Sequence, residues 1–285
     1  LKPMRILDEP IVIFRTEAGV PAALEDACPH RKLPLSKGRL AGETVECGYH
    51  GLTFDCSGTC VHAPTQDGPP PAITVRSYSV EDRWGILWIW MGDTNKANPD
   101  KIFEIPNYDN PAWGCTQGGS MDIACHYLYV IDNLLDPSHV AWVHVSSFAG
   151  AGTGNLPLDL EKLDDGIIVS RWVMDALPPP YYEPILPFSG NCDRKQHYEC
   201  RLPSTAINMS VYTRAGTGGD NDNLPDDAFL NISYNFMTPV DADNTRYFWF
   251  QHRNSDPENQ EISNWMFEGA KAAFIEDRDV LTEVH

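Results

Sequence analysis

The chain has 285 residues, 42% of them hydrophobic and 11% aromatic, and 21 Lys and Arg against 40 Asp and Glu leave a formal charge of −19. That acidic balance offers no footprint for nucleic acid or an anionic membrane surface. No stretch reaches the roughly 18–20 uncharged apolar residues that a membrane span needs, and the length suits one large domain or two smaller ones.

The opening Leu1-Lys2-Pro3-Met4 has no initiator, no apolar signal core and no twin arginine, so an N-terminal piece is expected to be missing. Residues 9–92 read as a β-rich module. Short apolar runs at 11–14, 22–24, 73–75 and 86–90 are separated by Gly, Pro and Asp turns, with a Pro/Gly loop over 65–71. Between 91 and 112 the composition turns polar around Pro99, Pro106 and Pro111, which places a boundary between domains 1–98 and 99–285. Residues 123–145 contain no breaker except Pro137 and predict a helix. Runs at 167–174, 206–212, 229–237 and 246–252 predict strands, with an exposed loop over 216–227. Asp256-Pro257 predicts an N-cap and first helical residue, opening a helix that runs to the end. The expected class is α+β, with helices covering a sheet in the second domain.

Eight cysteines in a chain of this length point to metal rather than to a disulfide framework, with a cytoplasmic location as the default. Residues 28–31 read Cys-Pro-His-Arg and residues 47–50 read Cys-Gly-Tyr-His. Two thiolates and two imidazoles on short loops suit tetrahedral zinc. They equally suit a [2Fe–2S] cluster in which two His replace two Cys on one iron. Each loop supplies one sulfur and one nitrogen. Gly48 and Gly51 would let backbone amides approach cluster sulfurs, and Pro64 could shield the cluster from water. Cys56 and Cys60 flank a turn and read as structural.

A second constellation follows: Asn133-Leu-Leu-Asp136-Pro-Ser-His139-Val-Ala-Trp-Val-His144. On a continuous helix Asn133, Asp136 and His139 share one side, while His144 lies about 140° beyond His139, so their convergence requires distortion at Pro137. Taken alone, the two histidines could equally be core residues near a helix end. In the C-terminal helix the apolar face runs through Ile262, Met266, Ala270, Ala273 or Phe274, Leu281 and Val284. Asp277 falls on that face, where a carboxylate is costly unless paired or metal-bound. Glu276 and Asp279 point elsewhere and read as solvated. Two His and one carboxylate, here His139, His144 and Asp277, make the facial triad of non-heme Fe(II) enzymes.

The two Cys/His boxes resemble the Rieske domain of the Rieske non-heme iron oxygenases. They lack the additional cysteine pair of the high-potential respiratory type. With residues 133–144, Tyr247-Phe-Trp, Arg253-Asn254 and Glu276-Asp277, the resemblance covers nearly the whole chain and is nearest to the vanillate O-demethylase and dicamba-type demethylase group. Relative to that family the chain is expected to lack an N-terminal segment and the end of the C-terminal helix region.

The resemblance implies an all-β Rieske domain followed by an antiparallel-sheet-plus-helices, helix-grip-like catalytic domain. It implies a cluster on Cys28, His30, Cys47 and His50, and mononuclear Fe(II) on His139, His144 and Asp277. It also implies a head-to-tail homotrimer in which the carboxylate of Asp136 bridges a Rieske histidine, His50, and His139 across subunits, with Asn133 in support. NAD(P)H electrons would arrive through a separate reductase, with or without a ferredoxin, since the chain has no Gly-x-Gly-x-x-Gly fingerprint. The implied reaction uses O2 to oxidise a small aromatic substrate. O-demethylation of a methoxylated acid such as vanillate is the first reading, with formaldehyde and a phenol as products. Ring dihydroxylation, N-demethylation and aromatic methyl hydroxylation are the alternatives, and a bare electron carrier would require the triad to bind no iron. Asn235, Ile207 and Phe250 are candidate substrate contacts, with Met209, Phe248 and the Leu177–Tyr182 loop, and Asn235 as a hydrogen-bond donor to a carboxylate or phenol.

Overall fold

The computed structural model describes all residues except Thr65, Pro69, Pro71, 150–155 and Asp222. Parts of the expected loops at 65–71 and 216–227 therefore lie outside the described residues. The chain forms two compact units, Leu1–Ile105 and Pro106–His285.

The first unit holds β1 (Lys2–Ile6), β2 (Glu9–Arg15), β3 (Pro21–Glu25), β4 (Arg39–Ala41), β5 (Thr44–Glu46), β6 (Thr53–Phe54), β7 (Cys60–His62), β8 (Ser77–Arg83) and β9 (Ile86–Trp90). They form a five-stranded sheet, β1-β2-β3-β8-β9, and a four-stranded sheet, β4-β5-β6-β7. Two-residue turns close β1 on β2 and β8 on β9. Their central residues, Leu7-Asp8 and Trp84-Gly85, all have positive φ, the backbone twist that matches antiparallel strands. Strand β2 is buried on both faces: Val12 and Phe14 pack with Leu24, Leu35, Val45 and Phe54, while Ile11 and Ile13 pack with Ile6, Ala23 and Tyr78. That explains its continuous apolar run.

The run at 73–75 is not a strand. Thr74 makes an isolated bridge to Thr59, flanked by Val75 N–H donating to Gly58 O and Cys60 N–H to Ile73 O, and a Cβ on Gly58 would stand 2.0 Å from the Val75 carbonyl oxygen. Strand β8, half charged, escaped the apolar-run criterion.

The second unit adds β10 (Gly114–Cys115), β11 (Gly119–Ile123), α1 (Tyr127–Leu135), α2 (Val140–Val143), β12 (Asp159–Leu163), β13 (Gly166–Ala176), β14 (Cys192–Arg201), β15 (Thr205–Arg214), β16 (Phe229–Pro239), β17 (Thr245–Arg253) and α3 (Gln260–Val284). The strands make one antiparallel sheet, β10-β17-β16-β15-β14-β13-β12, and β11 also pairs with β17. Helix α3 seats Phe267 and Phe274 against Trp249, with Phe274 also edge-on to Tyr247.

Two helix boundaries differ from expectation. The helix expected over 123–145 begins at Tyr127 and stops at Leu135, since Asp136 precedes Pro137 and takes an extended ψ of 104°. Helix α3 is capped by Asn259, whose side chain accepts the Glu261 and Ile262 N–H groups, while Asp256 stands outside it at φ 41°. Val284, expected on the buried face, is exposed.

Candidate functional site

Two loops of the first unit repeat one backbone pattern. Cys28 N–H donates to Leu33 O and Lys32 N–H to Cys28 O; likewise Cys47 N–H donates to Leu52 O and Gly51 N–H to Cys47 O. Lys32 and Gly51, each four residues after its cysteine, both have positive φ. The loops are thus two copies of one turn. Both cysteines are buried free thiols. Burial, and then the neighbouring Cys47, push the Cys28 thiol up. His30 is exposed and His50 half-buried, with ring centroids 4.7 Å apart. Paired sulfurs below and paired imidazoles above fit the segregated ligand set of a Rieske cluster. Glycine is required at 48 and 51: a Cβ would come within 2.8 Å of the Lys37 carbonyl oxygen at one and 2.7 Å of Pro64 Cγ at the other. Pro64 therefore packs directly on the second loop. Cys56 lies in the turn between β6 and β7, and Cys60 on β7 is buried.

In the second unit His139, His144 and Asp277 each turn one ligand atom to a common point, all within 4.8 Å of one another. Asp136 and Pro137 break the helix, and α2 then carries His139 and His144 at its two ends, which brings the imidazoles together. Each ring is held from behind. His139 Nδ1 meets the Asp136 carbonyl oxygen at 2.5 Å, and His144 Nδ1 meets Glu276 Oε2 at 2.8 Å. Because both partners are acceptors, the N–H lies on Nδ1 and a neutral ring offers its Nε2 lone pair inward.

Asp277 Oδ1 is 3.1 Å from His144 Nε2 and 3.5 Å from His139 Nε2, yet it is buried with no hydrogen-bond partner. Three acceptors converging without a donor need a cation. Burial opposes charge on His144, but Asp277 and Glu276 outweigh it and raise its pKa. Two imidazoles and one carboxylate suit Fe(II) with open positions.

A cavity opens beside this triad. Its sheet wall is a polar ladder in register: Arg194 opposite Tyr212, Gln196 opposite Ser210, and Ser210 opposite Asn231. Its other walls carry Phe148, Pro179, Tyr182 and, from α3, Ala270, Ala273 and Phe274. Arg194 is 2% exposed and is the one Lys or Arg among the described lining residues. Arg171, directly opposite Gln196 and on the same face of the sheet, donates from Nε to Gln196 Oε1. Asn231 donates to the Tyr182 hydroxyl, while its buried Oδ1 has no partner.

Several sequence expectations meet this geometry differently. Ile207 and Phe250 alternate with the lining residues and face the opposite side of the sheet, as do Met209 and Phe248 by the same parity. Asn235 shares the cavity face but lies beyond the cavity. Its amide is saturated, donating to Ala206 O and Asn208 Oδ1 and accepting from Tyr247 at 2.6 Å. It is fully buried. The expected loop at 177–182 does contribute Pro179 and Tyr182.

Asp136 departs from the helix-face picture: its Oδ1 accepts the Ser138 N–H and hydroxyl, and the His139 N–H goes to its main-chain carbonyl instead of its carboxylate. Asn133 Nδ2 is buried without a partner. Sequence reasoning missed Arg194 and Glu276: neither a charged strand nor a carboxylate 100° off the apolar helical face carries a signal of its own.

Known proteins share this layout. The domain described as Rieske [2Fe-2S] domain matches residues 1–79, and that described as vanillate O-demethylase oxygenase C-terminal domain matches residues 123–285. The chain is 35% identical over 291 residues to the vanillate O-demethylase oxygenase subunit of Pseudomonas sp. strain HR199, covering 99% of this chain and 81% of that protein. It is 33% identical over 284 residues to the iron-sulfur subunit of the toluene-4-sulfonate monooxygenase system of Comamonas testosteroni, covering 98% and 81%. The crystal structure of dicamba monooxygenase bound to dicamba superposes with a TM-score of 0.90 at 29% identity, covering 99% of this chain and 82% of that one. No helix of the described residues is long and apolar enough to cross a membrane.

Proposed function

We propose that this chain, which belongs to the Rieske non-heme iron oxygenases as an oxygenase component, O-demethylates a methoxylated aromatic acid. One observation carries the reading: Arg194 and the triad line the same cavity, whose remaining walls are largely aromatic and amide side chains. A planar aromatic acid fits such a site, its carboxylate on a buried guanidinium and its ring between Phe148, Tyr182 and Phe274.

As an oxygenase component the chain uses a Rieske [2Fe–2S] cluster and mononuclear iron, with electrons from a partner reductase. We assign the cluster to Cys28, His30, Cys47 and His50, and the iron to His139, His144 and Asp277. When bound, these metals supply electron transfer and O2 activation. The protein's own part is to hold and orient. The Asp136 carbonyl and Glu276 fix the two imidazoles, the apolar α3 wall excludes water, and Arg194 sets which end of the substrate faces inward.

The overall conversion balances as methyl ether, O2, two electrons and two protons to phenol, formaldehyde and water. Asp136 would link His50 of one copy to the iron site of another in a homotrimer, its carboxylate turning from Ser138 to do so, with Asn133 in support. The need for NAD(P)H supports a cytoplasmic site.

Aryl-sulfonate methyl hydroxylation is a second reading, favoured by the 33% identity to the toluene-4-sulfonate subunit, since Arg194 would hold either anion. Turnover with a heterologous reductase on methoxybenzoates and toluenesulfonate separates them. Formaldehyde equal to phenol supports demethylation, and a benzylic alcohol with no formaldehyde supports hydroxylation. Turnover of neutral anisoles as fast as that of the acids would sink the anion-anchored reading.

A further inference from the structure

The two triad histidines are supported unequally. Behind its ring His139 leans on a neutral main-chain carbonyl, whereas His144 Nδ1 meets a carboxylate of α3, Glu276 at 2.8 Å; the next residue, Asp277, faces both inner nitrogens, 3.1 Å from His144 Nε2 and 3.5 Å from His139 Nε2. Successive helical residues diverge by about 100°, so one turn of α3 spans the ring from its solvent edge to its buried edge. Their exposures follow: the Glu276 side chain is 40% exposed and that of Asp277 8%.

We propose that Glu276 is a positioning residue for the mononuclear metal. Its carboxylate holds the proton of His144 on Nδ1, aims the Nε2 lone pair at the shared point with Asp277, and makes His144 the more strongly donating imidazole. The reasoning rests on the metal assignment above. A carboxylate behind a metal-bound imidazole fixes its tautomer and raises its basicity, and removal of such a partner typically weakens metal affinity about 10–100-fold. The Glu276 carboxylate meets His144, and Ala is tolerated at a half-exposed helix position, so the variant should fold.

The experiment measures Co(II) affinity on iron-depleted full-length protein that retains its cluster, by dialysis and by the visible Co(II) band. Glu276→Ala should bind Co(II) about 10–100-fold more weakly and with a shifted band. Glu276→Gln keeps an acceptor oxygen at the same reach and should recover most of the affinity, while Glu276→Asp, one methylene short, should bind more weakly than Gln. An affinity for the Ala variant within twofold of the parent overturns the proposal. Asp277→Ala serves as the reference: if it too keeps Co(II), the metal assignment itself fails, and if it alone loses Co(II), only the role of Glu276 fails.

Discussion

The cluster loops and the iron triad are built in opposite ways. The four candidate cluster ligands fall between residues 28 and 50, on two copies of one hydrogen-bonded turn, and each loop is complete within a few residues. The triad joins residues 139 and 144 to residue 277 and exists only while α3 is seated on the sheet. A site made of local turns tolerates loosening elsewhere, whereas a site closed by a helix registers every change in the packing beneath it. The mononuclear iron should therefore be the more labile of the two metal centres.

The largest effects should come from removing ligands. Cys28→Ser is expected to abolish the Rieske absorption and all turnover while leaving mononuclear metal in place. Asp277→Ala should do the reverse, with normal cluster colour and no mononuclear iron. Iron and acid-labile sulfide content per chain reads both at once. Loss of the cluster in Asp277→Ala, or of mononuclear iron in Cys28→Ser, would break the independence of the two regions.

Asp136→Asn tests their connection. The amide oxygen can still accept from Ser138, and the main-chain carbonyl that holds His139 is untouched. Both metals should stay, while turnover falls about 10–100-fold through the lost carboxylate. Full coupled turnover with unchanged metal content would leave Asp136 as a helix stop and nothing more.

The same contrast governs what could be read from sequence. The Cys/His boxes are local and their spacing carries the chemistry, so the candidate cluster residues are legible without a fold. His139, His144 and Asp277 were legible because a carboxylate on an apolar helical stripe is conspicuous. The strands β13, β15, β16 and β17 followed from apolar runs. Strand β14 did not, because its sequence CDRKQHYECR places Arg194, Gln196 and Tyr198 on the cavity face and Asp193 beneath a loop, where Asp193 accepts N–H bonds from Asp175, Gly216 and Gly218. The strand that broke the pattern is the one carrying the cation of the cavity. Ile207 and Phe250 lie on the sheet face away from the cavity; which parity of a strand faces a cavity is decided by the covering helix, and nothing within the strand encodes it.

The smallest effect concerns acid stability and tests whether the iron region gives way first. His252 on β17 is 1% exposed, neither ring nitrogen has a protein hydrogen-bond partner, and burial lowers its pKa from 6.5 to about 4. In the unfolded chain it binds a proton below about pH 6.5; in the folded unit it does not until about pH 4. The unfolded state therefore holds more protons across that window, and stability falls as pH drops from 6.5 toward 4. At about 1.4 kcal/mol per pH unit, the full loss is about 3 kcal/mol. Because β17 also carries Trp249 beneath Phe267 and Phe274 of α3, that loss reaches the seat of Asp277. His252→Phe keeps a ring among Tyr108, Tyr234 and Phe250 and removes the proton. The variant should show a smaller drop in Tm between pH 7 and pH 5 than the parent, and should retain more iron at pH 5 with unchanged cluster content. Equal drops in the two proteins would remove His252 from the account of acid lability, and cluster loss in step with iron would show that the helix-closed site is no weaker than the loops.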